Sequence, residues 1–303
     1  MTDVDRQTQL AREHRERQEE RAATKRPSKR NTIIGAGVGV ILVAGGIIAA
    51  TTLMGGEDDT VAPGAAPGPS ASAGASPPAA LPIPTTDPGQ AGPVSCEYRK
   101  DDSGSPEKNV GKPPSKPNTK LKTMTLDTNQ GQIVIELATA QAPCTVNSFA
   151  FLAKKNYFDN TRCHRLATVE TTGLGMLQCG DPLAKGDGKS KDDGTGSPGY
   201  LFGDENLGGI PYTRGTVAMA QGGEDANSNG SQFWISFSDE NIQLASAGAA
   251  YTPFGVVTKG MDVVDKIAKG GIIPFGGDPL SDVRGEGSNA PKLPVVIKNV
   301  TLR

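Results

Sequence analysis

Polar side chains set inside apolar, strand-like runs are the part of this sequence best equipped for chemistry. Cys163-His164-Arg165-Leu166 places a guanidinium in one such run, and Met176-Leu177-Gln178-Cys179-Gly180-Asp181 closes another with a glutamine. Met219-Ala220-Gln221-Gly222-Gly223 precedes Asn227-Ser228-Asn229-Gly230-Ser231-Gln232-Phe233-Trp234. An arginine in a strand is most often an exposed residue or an ion-pair partner, and Gln178 or Gln232 could equally satisfy buried backbone groups. Asn227, Ser228 and Asn229 read as turn residues. Other catalytic templates fail. With His14 and His164 as the only histidines, a His-rich metal site or a two-histidine mechanism is excluded. No GxSxG, HExxH or Walker A lysine loop is present. Gly194, Gly196 and Gly199 satisfy GxGxxG, but they follow a charged loop and precede Tyr200-Leu201-Phe202 with no helix start, so no dinucleotide site is expected. No metal and no cofactor are expected.

The elements that must position these side chains are mostly strands. Lys120–Thr128 alternates Met124 and Leu126 against more polar neighbours, and Asn129-Gln130-Gly131 turns the chain into Gln132–Leu137, a hairpin. Pro143 opens a helix whose stripe runs through Val146, Phe149, Ala150, Leu152 and Ala153. Apolar runs recur at Thr216–Ala220, Gln232–Phe237, Thr252–Val257 and Val295–Leu302, and a short helix is predicted over Met261–Ala268. Residues 180–213 are rich in Gly, Asp and Lys with little periodicity. Many short strands with two helices in about 185 residues predict a closed barrel with end caps.

Upstream the composition changes. Residues 1–31 form a charged tail. Residues 32–56 carry no charge over 25 positions, long enough to span a bilayer core of about 30 Å. Lys25, Arg26, Lys29 and Arg30 precede the stretch while Glu57, Asp58 and Asp59 follow it, which puts the tail in the cytoplasm and the rest outside. Cleaved signal peptides have shorter apolar regions, so an uncleaved single-pass anchor in the cell membrane is the expectation. Residues 57–118 are a linker and lead-in: of 61–93, 26 residues are Ala, Pro, Gly or Ser, too few apolar groups to offset ordering entropy. The folded domain is expected over 119–303. Cys96, Cys144, Cys163 and Cys179 all fall on the extracytoplasmic side, where disulfides persist, and lack the spacing of a zinc or redox motif. Two disulfides are expected, with three pairings open. A net charge of −2, from 31 Lys+Arg against 33 Asp+Glu, argues against a nucleic-acid partner.

In order and spacing, CHR at 163–165, QCGD at 178–181, MAQGG at 219–223, NSNGSQFWI at 227–235, APCTVNSF at 142–149, GDENL at 203–207 and YTPFGVV at 251–257 resemble the cyclophilin family of peptidyl-prolyl cis/trans isomerases. The resemblance covers about 120–303. It implies a mainly β fold, a closed eight-stranded antiparallel barrel with two capping helices, and rotation of X–Pro bonds in secreted or envelope proteins. An alternative is a non-catalytic peptide-binding or chaperone module on the same fold; a surface adhesin is the further rival. The resemblance assigns Arg165 as the donor to the prolyl amide and Gln178 as its orienting partner. Substrate binding falls to His164, Met176, Gln221, Gln232, Trp234, Leu244 and Tyr251, and the partners are proline-containing polypeptides and, through 32–56, the lipid bilayer. Three departures stand out: Cys163 for the first Phe of FHR, Gly175 for a pocket Phe, and Gln243 near the tryptophan that binds cyclosporin.

Overall fold

The computed structural model describes residues 94–222 and 226–303. The stretch 32–56, with the tail and most of the linker, lies outside these; among the described residues no helix is long and apolar enough to cross a membrane. The order is β1 (Tyr98–Lys100), β2 (Thr123–Thr128), β3 (Gln132–Leu137), α1 (Pro143–Lys154), β4 (Thr161–Arg162), β5 (Arg165–Ala167), α2 (Val169–Thr172), β6 (Met176–Cys179), β7 (Tyr200–Phe202), β8 (Thr216–Gln221), β9 (Asn229–Ser236), α3 (Gln243–Ser246), β10 (Pro253–Lys259), α4 (Met261–Lys269), β11 (Ile272–Ile273), β12 (Ala290–Pro291) and β13 (Val296–Leu302).

The hairpin forms as its alternation requires, with Met124 opposite Ile135 and Leu126 opposite Ile133, all four buried. From it the main antiparallel ladder runs β1-β7-β9-β8-β10-β3-β2-β13-β4, and β6 pairs with both β5 and β9. β4 passes into β5 through Cys163 and His164, whose N–H groups donate to Val295 O and Gln178 O. Inside the sheet lies the main apolar core, with a small satellite cluster of Ala138, Ile210 and Val256. Phe149 of α1 stacks on Phe254 at 4.7 Å and meets Phe233 edge-on at 5.5 Å. Pro143 sits in the first turn of α1, where its missing N–H costs nothing. Three α1 donors, Cys144 N, Thr145 N and Thr145 Oγ1, end on the Glu205 carboxylate. The GDENL stretch therefore braces the helix start.

Three features lie outside the periodic reading. The lead-in belongs to the sheet: β1 pairs residue for residue with β7, and Lys108 N donates to Ser197 O. The folded unit thus extends upstream of 119. Two one-turn helices, α2 and α3, join the two longer ones. The cysteines pair as Cys96–Cys144 and Cys163–Cys179.

Candidate active site

Strand register assembles the site. Arg165 of β5 stands opposite Gln178 of β6, Gln178 opposite Trp234 of β9, and Trp234 opposite Ala218 of β8. The neighbouring row, Leu166, Leu177, Ile235 and Val217, belongs to the main apolar core. Because successive side chains point to opposite faces, the Arg165 row lies on the outer face of the sheet. Met176 and Ser236 form the next rung on that face.

A relay of amides fixes the middle of the row. Gln232 Nε2 donates to Gly194 O at 2.8 Å and Gly196 O at 3.0 Å, so its Oε1 is the end that accepts from Gln178 Nε2 at 3.0 Å. Gln178 must then present Oε1 to Arg165, whose Nη1 donates across 3.4 Å. Network logic thus assigns both amide orientations. The glycines that looked like a phosphate loop are bound otherwise: Gly194 N and Gly196 N donate to one carboxylate oxygen, Asp181 Oδ2. A Cβ on Gly196 would overlap Asp181 Oδ1, which explains the glycine there.

The guanidinium is buried. Arg165 is only 6% exposed, and its Nε lies 2.9 Å from Asp282 Oδ1 in an ion pair with Asp282, itself 3% exposed. Nη2 is buried with no hydrogen-bond partner. Asp282, far along the chain, escaped sequence reasoning because no motif marked it, and so did Tyr212 beside Trp234.

The apolar part of the face is aromatic. Trp234, 1% exposed, lies beneath Tyr251 in an edge-on contact at 5.7 Å and beside Tyr212 at 5.6 Å, and its indole N–H donates to Met219 O. Trp234 is a floor, not an open wall. Met176 and Leu244 are also buried but stand outside the main apolar core. Tyr251 is half-buried, and burial raises its phenol pKa, with the Arg165 charge pulling the other way. Gln221 donates to Asp204 Oδ1 and Ala250 O, so its side chain holds the turn before β10, while its carbonyl and N–H stay in β8. Gly175 has no room for the phenylalanine that the resemblance implies there: a Cβ would lie 2.5 Å from Ser238 Cβ and 2.9 Å from the Phe237 ring. Asn241 brackets this glycine, accepting from Gly175 N and donating to Gly175 O, both at 2.8 Å.

His164 requires a correction. Assigned to substrate binding, it is wholly buried, with neither ring nitrogen hydrogen-bonded, and Nε2 lies 3.4 Å from where a Gly194 Cβ would stand. It supports the strand from beneath. Burial holds its pKa below the ordinary value, the Asp181 and Asp193 charges opposing that shift and the Arg165 charge adding to it. The unfolded chain therefore takes up the proton first as pH falls past about 6.5. Stability present above that pH is lost below it, by up to about 1.4 kcal/mol per unit until the depressed folded value is reached. Between pH 7.5 and 5.5 the denaturation midpoint of the unmodified chain should fall relative to that of His164→Phe; parallel profiles would contradict this.

The family model described as cyclophilin type peptidyl-prolyl cis-trans isomerase/CLD matches residues 123–302. A protein of Mycobacterium leprae named probable peptidyl-prolyl cis-trans isomerase B is 41% identical over 209 residues, covering 63% of this chain and 64% of that protein. Its namesake in Mycobacterium tuberculosis (strain ATCC 25618 / H37Rv) is 38% identical over 212 residues, covering 63% and 62%. A peptidyl-prolyl cis-trans isomerase of Acinetobacter baylyi is 35% identical over 179 residues, covering 59% of this chain and 84% of that one. The chain thus spans less than two thirds of the length of the two mycobacterial relatives.

Proposed function

The chain belongs to the cyclophilin-type peptidyl-prolyl cis-trans isomerase family, and we propose that it catalyses rotation about X–Pro bonds in polypeptides that fold outside the cytoplasm. The observation that carries this reading is the outer-face row Arg165–Gln178–Trp234, a guanidinium donor held beside an amide relay and an aromatic floor.

Amide resonance opposes the rotation with a barrier of about 18–20 kcal/mol. Nothing covalent need happen. A donor that bonds the prolyl nitrogen in its pyramidal, twisted form stabilises the transition state more than the flat ground state, which is what accelerates a step. Arg165 suits this because the planar fork of its guanidinium serves the nitrogen and the neighbouring carbonyl together. Met176, Leu244, Tyr251 and the floor formed by Trp234 grip the proline ring, and the β8 backbone at Gln221 holds the peptide. A proline-coupled peptide assay on the full chain tests the reading; no turnover above the uncatalysed rate refutes it.

The burial of Arg165 and the glycine at 175 favour one rival, a peptide-binding or chaperone module without turnover. The same assay separates the two, since that module would bind proline peptides without accelerating their isomerisation.

Our reading extends to the finer architecture. β9, β8, β10, β3, β2, β13, the β4–β5 run and β6 make eight strands that return to β9, the ring of a closed barrel. The uncharged stretch 32–56 with its basic leading flank supports a single-pass anchor, and the Pro-rich linker after it supports a tethered domain beyond the membrane. Two disulfides agree with an oxidising compartment.

Cyclosporin should inhibit this enzyme poorly. By the resemblance, the rim tryptophan falls at Gln243, an exposed residue that opens α3 and whose amide donates to Gly173 O. Loss of one aromatic anchor costs about 2 kcal/mol, roughly 30-fold in affinity. Gln243→Trp should recover inhibition by about that factor; nanomolar inhibition of the unmodified chain would place the rim contact elsewhere.

A further inference from the structure

The loop between β11 and β12 reaches back over the site, and one of its side chains holds the guanidinium. The loop is braced from within. Arg284 pairs with Asp278 and Glu286, Leu280 N donates to the Asp278 carboxylate, and Glu286 N donates to Ser281 O. It is also anchored to the strand that carries Arg165. Asn289 is fully buried; its Oδ1 accepts from Phe275 N, its Nδ2 donates to Pro279 O, and its carbonyl accepts from Leu166 N, the residue after Arg165. Both ends of the loop are therefore fixed relative to β5. At its turn the Asp282 carboxylate meets Arg165 Nε.

A guanidinium has five donors in one rigid plane. Asp282 takes Nε and Gln178 takes one donor of Nη1, which sets both the position and the rotation of that plane. What is left is the second Nη1 donor and the Nη2 corner, the latter buried and without a partner. Buried donors with no acceptor are rare in native proteins, and each asks for a reason. A reacting prolyl group supplies one.

We propose that Asp282 is a positioning residue for this reaction: by holding Nε it fixes the Arg165 plane so that the free Nη2 corner meets the prolyl amide. The inference rests on the reading of Arg165 as the donor. The clasp adds no atom to the reaction; it removes the rotamer freedom that a long arginine side chain otherwise carries into each turnover.

The experiment measures kcat and KM of the full chain on a proline peptide for five variants. Asp282→Ala should lower kcat about 10-fold while KM stays within about 2-fold, since a misaimed donor fails chiefly in the transition state. Asp282→Asn, whose amide oxygen still accepts from Nε, should recover most of that loss. Asn289→Ala, which frees the loop while keeping the carboxylate, should reproduce the loss of kcat. In the Arg165→Ala background, Asp282→Ala should change kcat no further. An unchanged kcat in Asp282→Ala overturns the proposal, as does a rise in kcat/KM, which would make the carboxylate a competitor of substrate. Should Asp282→Ala fail to fold, full turnover in Asp282→Asn together with full turnover in Asn289→Ala overturns it equally. Unchanged activity in Arg165→Ala overturns the reading of Arg165 and this proposal with it. Loss there with full activity in Asp282→Ala overturns this proposal alone.

Discussion

Arg165→Ala is expected to cut kcat/KM by about 10- to 150-fold, the equivalent of the 1.5–3 kcal/mol that a hydrogen bond to a charged group carries. It should also destabilise the fold. Asp282 is 3% exposed and its only charged partner among the described residues is Arg165, so the variant strands a carboxylate away from water. Breaking one side of a buried pair typically costs about 3–5 kcal/mol. The two effects separate in the Arg165→Ala/Asp282→Ala double variant. Removing both charges should restore much of the stability and none of the activity. Denaturation midpoints and peptide turnover, measured side by side, check both halves. A double variant as unstable as the single one would show that the loop is held by its own braces, and a fully active single variant would remove Arg165 from the reaction.

The ion pair also marks where sequence reasoning stops. Elements whose burial repeats at a fixed period were legible: the β2–β3 hairpin, α1 with Val146, Phe149 and Leu152 buried, and α4 with Val264 and Ile267 buried. Period carries no information about which outer-face residues share a row. Arg165, Gln178 and Trp234 came together on paper only through motif resemblance, and in space through the register of β5, β6 and β9. Asp282 had neither signal. It sits in an aperiodic loop 117 residues from Arg165, and loop geometry rests on specific bonds, such as those of Asn289, that composition does not encode. β1 escaped for a related reason: Tyr98-Arg99-Lys100 is short, polar and at the edge of the sheet, so it shows no apolar alternation. His164 was misplaced because motif adjacency to Arg165 outweighed strand alternation, which sends neighbours to opposite faces.

Reduction of the two disulfides should be the largest single perturbation of stability. Cross-links act mainly on the unfolded chain, and the loop each one closes sets the scale. Cys163–Cys179 spans 16 residues, for about 3 kcal/mol, and Cys96–Cys144 spans 48, for about 4 kcal/mol. The two should differ in what they protect. Cys96–Cys144 ties the lead-in to the first turn of α1, beside β1, which pairs over three residues with β7 and is held further by Tyr98, whose hydroxyl donates to Cys144 O and accepts from Asn147 Nδ2. Its removal by Cys96→Ser/Cys144→Ser should lower the denaturation midpoint and leave turnover at temperatures below the transition nearly intact. Cys163–Cys179 joins the β4–β5 connection to the end of β6, with Arg165 two residues beyond one cysteine and Gln178 immediately before the other. Cys163→Ala/Cys179→Ala should therefore cost less stability and more kcat. Thiol titration of the unfolded, unreduced chain checks the premise: almost no free thiol is expected, and four would sink it. Equal losses of kcat in the two double variants would show that the second bridge does no more for the Arg165–Gln178 pair than the first.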